Sequence, residues 1–370
     1  MFIGLPKEIK NSEARIALTP ANVFDLTQKN HTVFVQENAG TKSGYSDEDY
    51  IKAGGTMLPT IEDVYEKATL IVKVKEPQPS ELLLIKSHHT IYTYLHLAAD
   101  RNLTETLLNS GATCIAYETI QLPNRTLPLL SPMSEIAGKV AMSFGLCFLS
   151  NPNGGKGLFI SGVAGTRRGK VVIIGAGVAG QSALKIAYGV GADVTILDTD
   201  LEKLRYVNDI YHNKVETLYS SKANIQHCLK HADLVIGTVL IPGDKAPKLV
   251  TKEDLKLMEK GSVLVDISID QGGCFETSRP TTHENPTYVV DGIIHYCVAN
   301  IPGAFALTST NALTNSTFKY LDKIVNLGLK EAIKIHPELK GGVNIYNNNI
   351  TYEIVAQTFE LPFKDLSTLL

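Results

Sequence analysis

The stretch VVIIGAGVAGQSA, residues 171–183, passes from apolar β-formers into spaced glycines and then into small helix-formers. A strand, a tight turn and a helix in direct succession form the dinucleotide-binding arrangement. Gly175 permits the turn, Gly177 lets the backbone approach a pyrophosphate, and Gly180 allows close helix packing. The N-terminal amides of the helix that follows face the phosphates. The next apolar run, VTILD, ends in Asp198, where a carboxylate accepts bonds from the adenosine ribose hydroxyls and repels a 2′-phosphate. NAD is expected over NADP, with Lys203 and Arg205 nearby as the countervailing cations.

Upstream of this motif, short β-rich runs alternate with helical ones: FIGL (2–5), HTVFVQ (31–36), TLIVKV (69–74), TIYTYL (90–95) and ATCIAYE (112–118). A helix opens at Thr19–Pro20, a cap followed by a first-turn proline. The alternation predicts a parallel α/β layer over residues 1–130. Ser131–Pro132 opens a long helix reaching about residue 150. The glycine-rich segment after it, NPNGGKGLFISGVAGTRRGK (151–170), lacks P-loop spacing and reads as a surface hairpin and linker. The runs KVVIIG, DVTILD, KVETLYS, DLVIGTV, GSVLVDISI and IIHYCVAN then supply six strands, one complete dinucleotide-binding sheet.

After residue 304 the strands are expected to stop. Phe318, Leu321, Val325, Leu329 and Ala332 recur at helical spacing and mark one long amphipathic helix. So short a tail makes a poor third domain and is expected to cover the first. The predicted fold is α/β with two doubly wound domains: a Rossmann domain over 131–304, inserted into a discontinuous substrate domain of 1–130 plus 305–370.

The 370 residues are 44% hydrophobic and 20% charged, with 35 Lys and Arg against 38 Asp and Glu. That supplies apolar surface for two cores and no single-sign field to draw nucleic acid. No run has the length of a membrane span, and the N-terminus lacks the apolar stretch of a signal peptide. Cys114, Cys147, Cys228, Cys274 and Cys297 are scattered and not spaced as metal pairs. They read as small buried hydrophobes in a reducing compartment, so a cytoplasmic chain without structural metal is expected.

In a parallel sheet ligands gather at the carboxyl ends of the strands. Lys75 ends one apolar run and His96 the next, and Asp270 ends GSVLVDISID ahead of two glycines; Asp266, inside that run, reads as structural. Arg15 lies in the loop before the Thr19 helix, and its planar fork suits a carboxylate if it points inward. The competing readings are a solvated lysine, a hydrogen-bonded structural histidine, a turn-starting aspartate and a surface arginine.

With these residues in hand, the segments GLPKEIKNSEARIALTP (4–20), LIVKVKEPQ (70–78), YLHLAA (94–99), SPMSEIAG (131–138), LIPGDKAPKLV (240–250) and VDISIDQGGCFETSRPTT (265–282) resemble, in order, those of the alanine dehydrogenase family. The resemblance runs over essentially the whole chain. It implies NAD-dependent, reversible oxidative deamination of L-alanine to pyruvate and ammonium by a homohexamer. It places Arg15 on the substrate carboxylate, Lys75 on the carbonyl or imine, and His96 and Asp270 on proton transfer. Ser134 falls on the cofactor phosphates, Val178 and Ala179 in the glycine turn, Asp198 on ribose, and Lys203 and Ser220 near adenosine. Val239, Leu240, Ile267, Ser268, Ile269 and the turn Val298, Ala299, Asn300, Ile301 fall on the nicotinamide side, with Asn300 a polar contact. The run IPGAFALTST (301–310) departs from the family's Met, Pro-Gly-Ala-Val-Pro pattern. Two other readings compete: the NAD-binding component of a transhydrogenase-like system, which would share the two-domain plan, and a lysine-branch oxo-acid reductase, which would need a larger pocket and a second carboxylate anchor.

Overall fold

Runs without polar interruption become strands covered on both faces, and alternation with helices makes those strands parallel. In the computed structural model, which describes residues 1–239 and 246–370, the first such runs are β1 (Phe2–Leu5), β2 (Thr32–Gln36), β3 (Thr56–Leu58), β4 (Leu70–Val72), β5 (Thr90–Thr93) and β6 (Thr113–Ala116). They lie in the order β3, β2, β1, β4, β5, β6, all parallel. That is the doubly wound order, with the reversal between β1 and β4.

A second sheet repeats the plan with β7 (Lys170–Ile174), β8 (Asp193–Asp198), β9 (Glu216–Tyr219), β10 (Leu234–Gly237), β11 (Val263–Asp266), β12 (Thr287–Val290) and β13 (Ile293–Tyr296). Its order is β12, β13, β11, β10, β7, β8, β9, and here the reversal lies between β7 and β10. β12 is a strand more than expected. It pairs antiparallel with β13 across Asp291–Gly292, both at positive φ, the hairpin signal that Asp-Gly carries.

The expectation that strands stop after residue 304 is corrected. β14 (Val343–Tyr346) pairs antiparallel with β6, and β15 (Asn349–Ile350) pairs with β14, completing an eight-stranded first sheet. The turn is Asn347–Asn348, both left-handed, a conformation asparagine tolerates. The expected single C-terminal helix is also broken: Ala306–Leu327 ends at Gly328, φ 79°, and Leu329–Ile335 starts afresh. Its buried face runs through Leu313, Thr317, Tyr320, Leu321 and Ile324, while Phe318 and Leu329 are only half-buried. The 151–170 segment forms no hairpin ladder. It holds one short 3-10 turn, Asn151–Asn153, and then bends until β7 begins. Cys147 is exposed, unlike the other four cysteines, which are buried.

The chain divides into two compact units, Met1–Met133 with Phe305–Leu370, and Ser134–Ala304. In the first, Ile71, Ile91, Leu95, Cys114, Ala116, Ile345 and Ile350 pack together. In the second, Val172, Ile174, Leu197, Val235, Leu264 and Phe275 do so. Among the described residues, no helix is long and apolar enough to cross a membrane.

Candidate active site

In the first unit, every candidate side chain follows a parallel strand at its carboxyl end. Glu8, Glu13 and Arg15 come after β1, Lys75 after β4, His96 after β5 and Glu118 after β6. β1 and β4 flank the reversal, where chain connections diverge and leave a crevice.

Arg15 points inward and is 3% exposed. Its Nε donates to Glu13 Oε1 at 2.7 Å and its Nη2 to Glu13 Oε2 at 2.5 Å, a fork-to-fork pair, while its backbone N–H donates to the same Oε1 at 2.9 Å. Nη1 lies 3.0 Å from Met133 Sδ. Burial alone would raise the Glu13 carboxyl; the Arg15 guanidinium overrides it and holds Glu13 down at about 2. One edge of the fork is therefore engaged by Glu13, and the guanidinium is held in a fixed orientation.

Lys75 is 7% exposed, which rules out the solvated surface lysine. Thr93 Oγ1 donates to its carbonyl at 2.9 Å, fixing it to β5. His96 is exposed and left-handed, φ 51° and ψ 39°. Such backbone costs on the order of 1 kcal/mol for a non-glycine residue and persists where surroundings enforce it. Glu118 does so: it accepts from His96 N–H at 2.6 Å and from Leu95 N–H at 3.2 Å. The imidazole lies nearly parallel to the Tyr94 ring, centroids 6.0 Å apart.

In the second unit the glycine turn sits at the β7 and β10 reversal. Gly175 has φ 107°, and a Cβ on Gly180 would lie 1.8 Å from Gly175 O, so helix Val178–Gly189 touches the strand end in a way only glycine allows. Gly177, the helix N-cap, has open space where its Cβ would be, and no side chain caps the amides of Val178 and Ala179. An open approach, a glycine cradle and uncapped amides fit a pyrophosphate. Helix Ser131–Phe148 packs alongside: a Cβ on Gly138 would come 2.0 Å from Ala179 O, and Ser134 is one turn earlier on the same face. Thr238, just after β10, donates to the Gly175 carbonyl at 3.0 Å and braces the turn.

Asp198 ends β8. Its Oδ2 accepts from Ala176 N–H at 2.6 Å and its Oδ1 from Asp200 N–H at 2.8 Å, and Lys203 Nζ is 3.9 Å away. The carboxylate thus ties the glycine turn to the next strand. Ser220 N–H donates to the Asp198 carbonyl at 3.0 Å.

Asp270 is exposed on the 3-10 turn Ile267–Gln271. Ile267 is half-buried, Ser268 and Ile269 are buried, and Ser268 Oγ donates to Val239 O at 2.7 Å. Buried Asp266 caps this turn through Ser268 N–H at 3.0 Å and also accepts from Cys274 N–H at 2.9 Å, closing the Asp270 loop at both ends. Val298 bridges to Thr281, Ala299 N–H donates to Thr281 O at 3.2 Å, and Asn300 is left-handed, φ 64°, ahead of the Ile301–Phe305 turn. Leu240 lies outside the described residues.

Glu13 and Glu118 are site-shaping groups that sequence reasoning passed over. Glu118 was signalled in the same way as Lys75 and His96, since it ends the run ATCIAYE; Glu13, two residues before Arg15 in a polar loop, carried no such signal.

Two family models match the chain: "Alanine dehydrogenase/PNT, N-terminal domain" over residues 4–137 and "Alanine dehydrogenase/PNT, C-terminal domain" over 141–353. An alanine dehydrogenase of Methanococcus maripaludis is 51% identical over 364 residues, covering 98% of each chain. One of Halomonas elongata is 46% identical over 370 residues, covering 100% of each. The solved structure of an L-alanine dehydrogenase superposes with a TM-score of 0.93 at 47% identity, covering 97% of this chain and 99% of that one.

Proposed function

The chain belongs to the alanine dehydrogenase/PNT family, and from that premise we propose that it catalyses NAD-dependent, reversible oxidative deamination of L-alanine to pyruvate and ammonium. The observation that carries the reading is the gathering of buried Arg15, buried Lys75 and strained His96 at the carboxyl ends of β1, β4 and β5. We assign substrate binding to the unit Met1–Met133 with Phe305–Leu370, and NAD binding to Ser134–Ala304.

Arg15, oriented by Glu13, binds the substrate carboxylate. Lys75 holds and polarises the carbonyl or imine oxygen or nitrogen, an ammonium being suited to developing negative charge. His96 and Asp270 move protons to and from the substrate nitrogen and the hydrolytic water, work that needs groups able to change protonation in place. The pyrophosphate falls to the amides of Val178 and Ala179 with Ser134, and the adenosine ribose to Asp198 with Lys203 and Ser220 alongside. Val239, Leu240, Ile267, Ser268, Ile269 and Val298 to Ile301 are assigned to the nicotinamide side. When bound, NAD accepts the hydride from the substrate Cα. A homohexamer and a cytoplasmic setting complete the reading, the first checked by mass in solution.

The direct test is NADH absorbance with a panel of L-alanine, glycine, L-serine and lysine plus 2-oxoglutarate. Reduction of NAD with L-alanine alone is expected. A chain that needs a partner protein to pass hydride would be a transhydrogenase-like component, and one active only with lysine and 2-oxoglutarate would be an oxo-acid reductase.

For the cofactor, Asp198→Ala is expected to lower the ratio of kcat/KM with NAD to that with NADP by about 10- to 100-fold, the scale of hydrogen bonds to a charged group. The variant also frees Ala176 N–H, so weaker binding of both cofactors is expected. An unchanged ratio would leave Asp198 as a turn residue only.

A further inference from the structure

We propose that Glu8 is a positioning residue for Lys75, its carboxylate replacing the strand that β4 lacks where it runs past β1. The proposal rests on the reading of Lys75 given above. β1 ends at Leu5, and its ladder with β4 covers only Ile3 with Leu70 and Gly4 with Ile71. Beyond that point the β5 side stays bonded: Lys73 N–H donates to Tyr92 O at 3.1 Å, and Tyr94 N–H to Val74 O at 3.3 Å. On the β1 side, Glu8 Oε1 takes over, accepting from Val74 N–H at 2.6 Å with Lys75 N–H 3.4 Å away.

The other oxygen belongs to a buried ionic cluster. Glu8 Oε2 is 3.1 Å from Lys73 Nζ, which lies 2.8 Å from Glu81 Oε1. Glu81 in turn accepts from Gln78 N–H at 2.8 Å and from the Tyr65 hydroxyl at 3.2 Å. Residues 73 and 78 are thus tied to one cluster, with Lys75 between them. Burial pushes the Glu8 carboxyl up and Lys73 pulls it back. Apolar side chains of equal volume would fill this space at lower desolvation cost. What they would not do is direct the backbone N–H groups next to Lys75, and directional bonds are what a polar cluster adds.

The test uses the full chain with Glu8→Asp, which keeps the charge beside Lys73 but shortens the reach to Val74 N–H, and Glu8→Gln, which keeps the reach and loses the charge. kcat/KM for L-alanine should fall by about 10- to 100-fold in Glu8→Asp, the effect of displacing a reacting group by about an ångström. KM for NAD should not move. In a Lys75→Met background the same Glu8 change should cost nothing further, because the group it positions is gone. Equal losses with and without Lys75 would overturn the proposal and make Glu8 structural, as would unchanged kcat/KM in both Glu8 variants. Near-normal turnover of Lys75→Met alone would instead sink the reading of Lys75, and this proposal with it. Should Glu8→Gln fail to fold, Glu8→Asp still decides.

Discussion

Lys75→Met should fold, bind NADH normally and lose oxidation of L-alanine by roughly two to three orders of magnitude, the usual loss when one preorganised electrostatic group is removed. Folding should survive because what anchors this position is backbone: the bonds from Glu8 and Thr93 do not use the ammonium. Methionine also fills the volume of the lysine stem. The charge change is tolerable nearby. Lys75 contributes to holding Glu13 ionised, but the Arg15 pair is the larger influence on that carboxyl and remains. The groups proposed to bind NAD belong to the other unit, so a fluorescence titration with NADH should give the wild-type affinity. The loss should appear in kcat/KM for L-alanine at saturating NAD. Near-normal turnover would show that the ammonium does not act on the reacting carbon, and failure to bind NADH would show damage beyond the site.

How much of this was readable from the chain depends on which forces wrote it. The glycine turn was legible because backbone chemistry forces residue type: Gly175 needs positive φ, and Gly180 leaves no room for a Cβ. Lys75 and His96 were legible because a polar residue closing an apolar run stands out, and the fold does place both at strand ends. Residue spacing does not encode pairing across the chain. Nothing near Arg15 announced that Glu13 would occupy one edge of its fork, nor that Glu118, just after β6, would hold His96 in a left-handed turn. Asp266 reads from sequence as structural, yet its burial and its bonds to both ends of the Asp270 loop become visible only with that loop closed. The missed strands β3, β12, β14 and β15 are all short and lie at or toward sheet edges, where few residues alternate and hydrophobic patterning is weak. For β12 and β14 the turns Asp291–Gly292 and Asn347–Asn348 were the available signals.

Those C-terminal strands sharpen what truncation should do. A fragment of residues 1–304 is expected to be insoluble or loosely folded, whereas residues 134–304 should keep a cooperative fold and bind NAD weakly without alanine activity. The first fragment loses Leu313, Tyr320, Leu321, Ile324, Val343, Ile345, Ile350 and Val355, all buried. Each such side chain contributes roughly 1.5–3 kcal/mol when buried. Together they come to roughly 12–24 kcal/mol, as large as or larger than the roughly 5–15 kcal/mol by which a domain is stable at all. The damage is also specific to the sheet. β14 pairs with β6, and Ile345 and Ile350 pack with Ile91, Cys114 and Ala116, so removing them bares the strand next to the one that presents His96 and leaves β6 as an open edge. The 134–304 fragment cuts no strand pairing of its sheet, and the glycine turn, Thr238 and Asp198 stay together in it. It lacks Arg15, Lys75 and His96, so no substrate chemistry should remain. Calorimetry and NAD titration on the two fragments decide the matter. Residues 134–304 account for one cooperative transition by themselves, so a second cooperative transition in residues 1–304 would mean that the returning segment is an appendage and that the first core closes without it.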